Sequence, residues 1–327
     1  MKKMKISLLL IILLGVIVLL YNKQDRVYEK NLFYMDTYIN IKVYTNKKEK
    51  YVKDVFDDLD KLYSTYHKLS DAYNSYDDLK NVYYLNEELE DGVSIEIDER
   101  LSKMISYGLS YYDKSDGYFN IALGNVTRIW KEYRDNGKEV PSYELLSSSL
   151  STNPNDIVLD LNNYTKYNGV RIDLGALSKG YATEESGKYL EEKSLNKYII
   201  NAGGNVKVGK SYDKDLYQIG LEDPNNKGDI YKIIDVENKS IVTSGNYQRY
   251  YEVNGTRYSH IINPKTLYPD STIASLTVVT DNSAYADIMS TYLYLLDEDK
   301  IKEVVLNNKL RVIYYTLDGR IVSYEEE

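Results

Sequence analysis

The chain has 327 residues, of which 43% are hydrophobic and 37 are tyrosines, so it can bury a sizeable core with much amphipathic aromatic surface. Its 41 Lys and Arg residues are interspersed with 50 Asp and Glu residues, and the net charge of −9 argues against a nucleic-acid-binding protein. Cysteine is absent, which excludes disulfides, thiolate metal sites and thiol chemistry. The length fits two average domains or one large one; without an internal repeat or a linker, we expect one catalytic domain over residues 25–327.

The first 24 residues have the pattern of a membrane-targeting segment. Three lysines precede an apolar run over residues 6–21, which is shorter than the ~20 residues that usually span a bilayer. No A-x-A-like cleavage site follows, so we expect an uncleaved anchor at residues 1–24. The lysines would keep the N-terminus in the cytoplasm and the domain outside. A cleaved signal peptide is the alternative.

The first half of the chain is predicted to form one strand and then helices. Partial alternation of apolar and polar residues predicts a half-buried strand from Leu32 to Tyr44. Apolar residues at helical spacing predict an amphipathic helix over residues 49–70, and a second helix is expected from Glu99 to Tyr112. The polar stretch 134–156 is typical of a loop with a short helix.

The central stretch is predicted to form a strand, a helix and a second strand. The first strand, Val170 to Leu174, is followed by a Gly-Ala turn, and Lys179 lies at the helix start, where unpaired N–H groups can hold an anion. The second strand, Tyr198 to Asn201, ends in two glycines. Such turns are more often plain connections, and neither of the standard phosphate-binding glycine patterns is present.

The last third of the chain carries a hairpin and a helix with candidate site residues. Asn254-Gly255 between two short strands predicts a β-hairpin, which delivers His260 just before a Pro-containing turn. A strand from Ile273 to Thr280 follows, and then a helix from about Ala284 to Leu296.

This last helix carries a candidate metal site. Asp287 and Thr291 are four residues apart, so their oxygens lie on one face of the helix, with Ser290 beside them. One carboxylate with a hydroxyl suits Mg²⁺ better than a caged Ca²⁺. Taken alone, the same spacing is a common surface pattern.

Four ordered blocks of the sequence resemble the ApbE flavin transferases, the FAD:protein FMN transferases. The central block joins DLGALSKGYA to NAGGNV. The others are GYFNIALGNVTRIW at 117–130, TSGNYQRYYEVNGTRYSHIINPKT at 243–266 and ADIMSTYLYLL at 286–296. The resemblance implies an α+β, T-fold-like, two-layer domain that binds FAD as a substrate in a cleft between sheet and loops, here preceded by an N-terminal transmembrane helix.

The resemblance also implies a set of site residues. Those expected to contact the flavin nucleotide are Met35, Tyr73, Tyr118, Phe119, Asn120, Asp173, Lys179 and His260. Those expected at a magnesium site are Asp287, Ser290, Thr291 and the main-chain carbonyl of Ala176. This chain departs from the family pattern at Asp36, where glycine is usual, and at Asn120, where many members carry Asp. Tyr73 has an alternative role in core packing.

The implied reaction is Mg²⁺-dependent attack of a protein threonine hydroxyl on the FAD pyrophosphate. It leaves FMN attached through a phosphodiester and releases AMP. Asp173 and His260 are the candidate catalytic residues; His260 acts either as a base or as a nucleotide-binding group, and a buried Asp173 beside Mg²⁺ could activate the hydroxyl without it.

The implied partner is an extracytoplasmic FMN-binding-domain protein of a membrane electron-transfer system. Two other functions remain open: an FAD pyrophosphatase, in which water attacks instead, and a non-enzymatic membrane-anchored flavin-binding protein. The sequence does not separate the transferase from the pyrophosphatase, since one metal site would serve both.

Overall fold

In a computed structural model of the chain, the described residues are 24–137, 139–148, 150–212, 215–226, 228–247 and 249–324. The predicted anchor at residues 1–24 lies outside this described part, except for Gln24. Within these ranges no helix is both long and apolar enough to cross a membrane.

The described chain forms fifteen strands. They are β1 (Arg26–Tyr34), β2 (Thr37–Thr45), β3 (Ile95–Glu96), β4 (Ile157–Asp160), β5 (Asn163–Lys166), β6 (Tyr198–Ala202), β7 (Asn205–Val208), β8 (Tyr217–Glu222), β9 (Ile230–Val236), β10 (Lys239–Gly245), β11 (Tyr250–Val253), β12 (Thr256–Ser259), β13 (Ile273–Thr280), β14 (Arg311–Thr316) and β15 (Ile321–Tyr324). Eight of them form one antiparallel sheet in the order β1-β2-β6-β7-β10-β13-β14-β15.

Seven α-helices accompany the strands in the described ranges. They are α1 (Glu49–Ser70), α2 (Glu99–Leu109), α3 (Gly124–Asn136), α4 (Tyr143–Ser147), α5 (Ser178–Glu192), α6 (Ser283–Tyr294) and α7 (Glu298–Asn308). A π-helical turn lies at Tyr84–Glu88, and short 3₁₀ turns lie at Asp113–Ser115, Ile121–Leu123 and Pro154–Asp156. The prediction of an α+β chain is confirmed, whereas the finer T-fold-like assignment stays a prediction.

The large sheet is covered on both faces. Helices α1, α5 and α6 pack on one face, where β2 contributes Ile39, Ile41 and Val43 to the core at alternate positions. The β8–β9 hairpin covers part of the other face, against Ile241 and Val279. Because both of its faces are covered, β13 is buried along almost its whole length.

The predicted strand from Leu32 to Tyr44 is wrong, because the chain turns back in its middle. Met35 and Asp36 both have positive φ, 54° and 55°, and connect β1 to β2 as a two-residue hairpin turn. Neither residue is glycine or asparagine, the usual signals of such a turn. The flanking residues alternate on both sides and therefore look like one strand.

The predicted strand from Val170 to Leu174 is also wrong: this segment forms no regular element and belongs to no sheet. The Asn86 side chain takes the place of a neighbouring strand, because its Oδ1 accepts from Ile172 N–H at 2.8 Å and its Nδ2 donates to Ile172 O at 2.8 Å. Lys166 donates to Asn86 O at 3.0 Å. The π-helical turn that carries Asn86 thus fixes the segment leading to Asp173.

Other predicted elements hold with small shifts. The hairpin with the Asn254-Gly255 turn is confirmed as β11 and β12. The helix predicted from Ala284 to Leu296 is α6, with Asn282 as its N-cap. The helix predicted to end at Tyr112 ends at Leu109; residues 110–112 form a turn, and a 3₁₀ turn follows at Asp113–Ser115.

Candidate functional site

A cavity of about 820 Å³ lies at the end of the large sheet. Its wall includes the β6–β7 turn at Gly203-Gly204, the start of α5, the inner turns of α6, and parts of α3, the β8–β9 hairpin and β12. The volume suits a nucleotide-sized ligand. Gly203 is required here, since it has φ 58° and an added Cβ would lie 1.8 Å from Thr37 Oγ1.

Asp287 is buried in the wall of this cavity, with only 4% of its surface exposed. Its Oδ2 accepts a hydrogen bond from Gly180 N–H at 2.8 Å. Burial raises the pKa of Asp287, against the opposing effects of the Lys179 charge, the Gly180 N–H and the Asn205 amide. The fold therefore keeps a carboxyl group in a place that disfavours its charge.

The other predicted magnesium ligands are placed differently from one another. Ala176 and Thr291 line the same cavity as Asp287. Ser290 is fully buried, and its Oγ bonds Ser244 Oγ at 2.9 Å and Asp287 O at 3.0 Å. Its hydroxyl therefore holds α6 against β10, and Ser290 is absent from the cavity lining.

Asp173 and Lys179 enclose the turn before α5. Asp173 Oδ1 accepts from Gly175 N–H at 2.7 Å, and Lys179 Nζ donates to Gly175 O at 3.3 Å. Both side chains line the cavity. The sequence analysis expected a buried Asp173, but the structure places it half-buried. The charge of Lys179 lies close enough to affect both Asp287 and His260.

His260 stands half-buried at the cavity wall just after β12. Its Nδ1 lies 3.2 Å from Arg249 O, and because a carbonyl only accepts, Nδ1 carries the proton of the neutral ring and Nε2 is left as an acceptor. Desolvation, followed by the charges of Lys179 and Arg249, lowers the pKa of His260 to about 3. The imidazole is neutral at physiological pH.

The predicted aromatic contacts form one side of the cavity. Tyr73 is 47% exposed and lines the cavity, which argues against a core-packing role. Tyr118 and Phe119 also line it, although Phe119 is 2% exposed. Asn120 uses its side chain within the protein: Oδ1 caps Ala122 N–H at 2.8 Å and Nδ2 donates to Thr152 O at 3.0 Å.

Met35 does not line the cavity, whereas the next two residues, Asp36 and Thr37, do. The Arg249 guanidinium donates to the carbonyls of Met35 and Asp36, at 3.2 Å each, and its Nη1 lies 3.7 Å from the Asp36 carboxylate. Arg249 thus ties the β1–β2 turn to the His260 segment.

Sequence reasoning missed Arg249 and Asn205 as site residues. Arg249 lies within the block TSGNYQRYYEV and Asn205 within NAGGNV, so both blocks marked the region without marking the residue. Asn205 is 1% exposed, lines the cavity and has a buried Oδ1 without a hydrogen-bond partner in the protein. The sequence feature that could have identified Asn205 is an amide side chain directly after two glycines.

The oxygen donors of the cavity fit a divalent cation of the magnesium type. No group of three His, Cys, Asp or Glu residues able to hold a metal occurs among the residues that the structure describes. Asp287, the Thr291 hydroxyl and the Ala176 carbonyl line one cavity and are all oxygen donors. One carboxylate with neutral oxygens fits Mg²⁺, which usually keeps waters and substrate phosphate oxygens as its other ligands.

Together these groups can bind an anionic nucleotide. Lys179, Arg249, Arg134 and Arg257 bring positive charge to the cavity wall, and aromatic rings line one side. A neutral imidazole, a half-buried carboxylate and a buried carboxylate lie within the same space. The arrangement suits chemistry on a phosphate ester or anhydride more than proton abstraction from carbon.

Comparison with known proteins identifies relatives of this site and fold. The model of the ApbE family matches residues 35–314. The FAD:protein FMN transferase of Rhodobacter capsulatus is 29% identical over 247 residues, which are 74% of this chain and 47% of that protein. That of Haemophilus influenzae is 29% identical over 239 residues, 69% of each chain. The chain thus spans about half the length of the Rhodobacter capsulatus relative.

A solved structure shares the fold. The crystal structure of the ApbE protein from Thermotoga maritima superposes with a TM-score of 0.81 at 24% identity, covering 92% of this chain and 97% of that one.

Proposed function

The chain belongs to the ApbE family, and from this premise we propose that it is an enzyme that transfers FMN from FAD to an acceptor protein. The observation that carries the proposal is the cavity of about 820 Å³, whose wall holds buried Asp287 together with Lys179, Asp173 and His260. FAD would be the substrate. The named activity of its relatives supports this assignment.

The nucleotide would be held by charge and by aromatic contact. Lys179 at the start of α5 would face the pyrophosphate, since positive charge at a helix N-terminus attracts anions. Tyr73 and Tyr118 offer ring faces for the flavin. The Nε2 of His260 would accept a hydrogen bond from the nucleotide.

The magnesium site would be formed by Asp287, Thr291 and the Ala176 carbonyl. A bound Mg²⁺ would polarise the pyrophosphate and neutralise its charge. Asp287 supplies the only carboxylate of this set, and Gly180 N–H holds its Oδ2 in place. Ser290 would contribute by positioning Asp287 through its bond to Asp287 O.

The proposed reaction joins a protein threonine hydroxyl to the FMN phosphorus and breaks the bond to AMP, which leaves. The threonine proton passes to Asp173 or to solvent, because a histidine with so low a pKa is a weak base. Two alternatives remain: FAD pyrophosphatase activity, with water as the acceptor, and flavin binding without catalysis.

The acceptor would be an FMN-binding-domain protein outside the cytoplasm, part of a membrane electron-transfer system. This location depends on the predicted anchor at residues 1–24, which lies outside the described residues.

Covalent transfer tests the function directly. The full chain in detergent is incubated with FAD, MgCl₂ and an FMN-binding-domain protein, and flavin fluorescence is sought in the acceptor band of a denaturing gel. We expect transfer that EDTA stops. Release of FMN and AMP without a labelled acceptor would favour the pyrophosphatase. The absence of any reaction would favour a flavin-binding protein without catalytic activity.

The metal assignment has its own test in the same assay. Asp287→Ala removes the one charged ligand and should lower turnover by roughly 10²-fold or more, whereas Thr291→Ala should cost less. Wild-type turnover by Asp287→Ala at limiting Mg²⁺ would place the metal elsewhere.

A further inference from the structure

Helices α5 and α6 exchange hydrogen bonds in a reciprocal way. Gly180 N–H of α5 donates to Asp287 Oδ2 of α6 at 2.8 Å, and Ser283 N–H of α6 donates to Glu184 Oε2 of α5 at 2.7 Å. In each helix the donor lies in the first turn and the carboxylate four residues later. First-turn N–H groups have no partner within their own helix, so each carboxylate caps the other helix.

Strand β7 supports both carboxylates from the same face. Lys207 Nζ donates to Glu184 Oε2 at 3.0 Å and to Asp281 O, just before α6, at 3.0 Å. Two residues earlier on β7, the amide of Asn205 acts on the Asp287 carboxylate. Glu184 and Lys207 are 8% and 6% exposed, so water does not compete with this ion pair.

The two helices touch where the bonds are exchanged. A Cβ added at Gly180 would lie 2.5 Å from both Asp287 Cβ and Ser283 O. The backbone of α5 therefore lies directly against the first turn of α6, and Asp287 follows one turn after Ser283. A shift of that first turn would carry Asp287 with it.

We propose that Glu184, with its charge balanced by Lys207, is a positioning residue that holds the first turn of α6 against α5 and thereby fixes the Asp287 carboxylate at the cavity wall. The pair itself lines no part of the cavity. The inference rests on the proposed function for its turnover measurement alone, since the helix contact can be measured without any substrate.

The test compares two double variants of the full chain. Glu184→Ala with Lys207→Met removes both buried charges and the acceptor for Ser283 N–H. Glu184→Gln with Lys207→Met removes the same charges but keeps a side-chain oxygen for that N–H. The two variants therefore differ in the Ser283 contact and not in charge.

The first measurement is hydrogen exchange at the Gly180 amide, which depends on Asp287 because it has no partner within α5. We expect exchange at least tenfold faster in the Ala variant and near the wild-type rate in the Gln variant. The second is turnover at saturating FAD, for which the Ala variant should lose roughly 10- to 100-fold, as supporting residues of metal ligands do, while the Gln variant recovers most of it.

Thr183→Val is the matched control. Thr183 is the neighbour of Glu184, is fully buried and bonds Tyr63 of α1 at 3.2 Å, so its loss weakens the hold of α1 on α5 and leaves the Ser283–Glu184 hydrogen bond in place. Equal Gly180 exchange in the Ala variant and in Thr183→Val would overturn the positioning role. If the Ala double variant does not fold, Glu184→Met with Lys207→Met, which fills more of the space and also lacks the acceptor, takes its place, and Gly180 exchange equal to that of Thr183→Val has the same meaning.

Failure of the proposed function has a different signature. If wild-type protein transfers no FMN while Gly180 exchange responds as expected, the helix contact stands and the activity is wrong. If transfer occurs and neither exchange nor turnover responds, the contact is wrong and the activity stands.

Discussion

Asp287 is a residue whose charge the surrounding fold disfavours. It is 4% exposed, and burial raises its pKa despite three groups that favour its charged form. A carboxyl group with a raised pKa binds its proton more tightly in the folded protein than in the unfolded protein. Its contribution to stability is therefore present below the pKa of the unfolded state and is lost as the pH rises through the pKa of the folded state. Sites that need such a charge commonly sacrifice stability for function.

Asp287→Asn should therefore stabilise the metal-free protein. The amide keeps an oxygen for Gly180 N–H and carries no charge, so we expect the free energy of unfolding at pH 7.5 to increase. The gain should shrink as pH falls and wild-type Asp287 becomes protonated. Urea unfolding in EDTA at several pH values measures the difference in stability between the variant and wild type. Added Mg²⁺ should stabilise the wild-type protein and not the variant. A variant less stable than wild type at pH 7.5 would contradict the expectation.

His260 separates binding from proton transfer. Its lowered pKa and the Nδ1 contact with Arg249 O leave a neutral ring with a free Nε2. A base works best with a pKa near the operating pH, so we expect His260 to bind. His260→Ala should raise the FAD dissociation constant about tenfold and change saturated turnover little.

Fluorescence titration with FAD and turnover at saturating FAD decide between the roles of His260. A loss of roughly 10²–10⁴-fold in turnover at unchanged FAD affinity would assign it as the base. Unchanged values of both would remove His260 from the site.

At the scale of elements, the segment before α5 is held without a neighbouring strand, by the Asn86 side chain and by backbone hydrogen bonds to residues 121–124. Asn86 satisfies both backbone groups of Ile172 and is itself 7% exposed. Buried backbone N–H and C=O groups cost free energy when they lose their hydrogen-bond partners. The position of Asp173 therefore depends on a residue 86 positions from Ile172 in the sequence.

Asn86→Ala should destabilise the protein by about 1–3 kcal/mol, the cost of buried groups left without partners. Asn40→Ala is the control, because Asn40 makes exposed amide contacts with Glu29 and Asn31 and should cost within about 0.5 kcal/mol. Chemical denaturation measures both. Equal costs for the two variants would show that Asn86 is not needed to hold the segment.

At the scale of the whole molecule, the described chain begins its fold almost at once after the apolar run. Asp25 pairs with Lys197 at 2.6 Å, and β1 starts at Arg26. Both ends of the large sheet come from the ends of the described chain, β1 and β15. The single domain over residues 25–327 stays a prediction.

Deleting residues 1–23 should leave the folded domain intact and change its location. We expect the same melting temperature and FAD affinity as the full chain in detergent, and a shift from the membrane to the soluble fraction on cell fractionation. If expression of the full sequence yielded a soluble, secreted chain starting near residues 22–30, the segment would be a cleaved signal peptide.

The sequence by itself determined the features that depend on neighbouring residues. The Asn254-Gly255 hairpin, the helix over residues 49–70 and the Asp287–Thr291 face each follow from a local turn or a short period. The ordered blocks further identified the family and predicted a shared site for Asp173, Lys179 and His260, which line one cavity in the structure.

Only the tertiary structure decided the features that join distant residues. It turned Ser290 towards Ser244, replaced the predicted strand at 170–174 by the Asn86 contact, and paired Gly180 and Glu184 with Asp287 and Ser283. Such contacts leave no periodic pattern, because each satisfies a single buried group with whichever side chain the packing brings near. The Met35–Asp36 turn was hidden for a related reason: the surrounding contacts hold two ordinary residues in a backbone conformation that their own preferences do not signal.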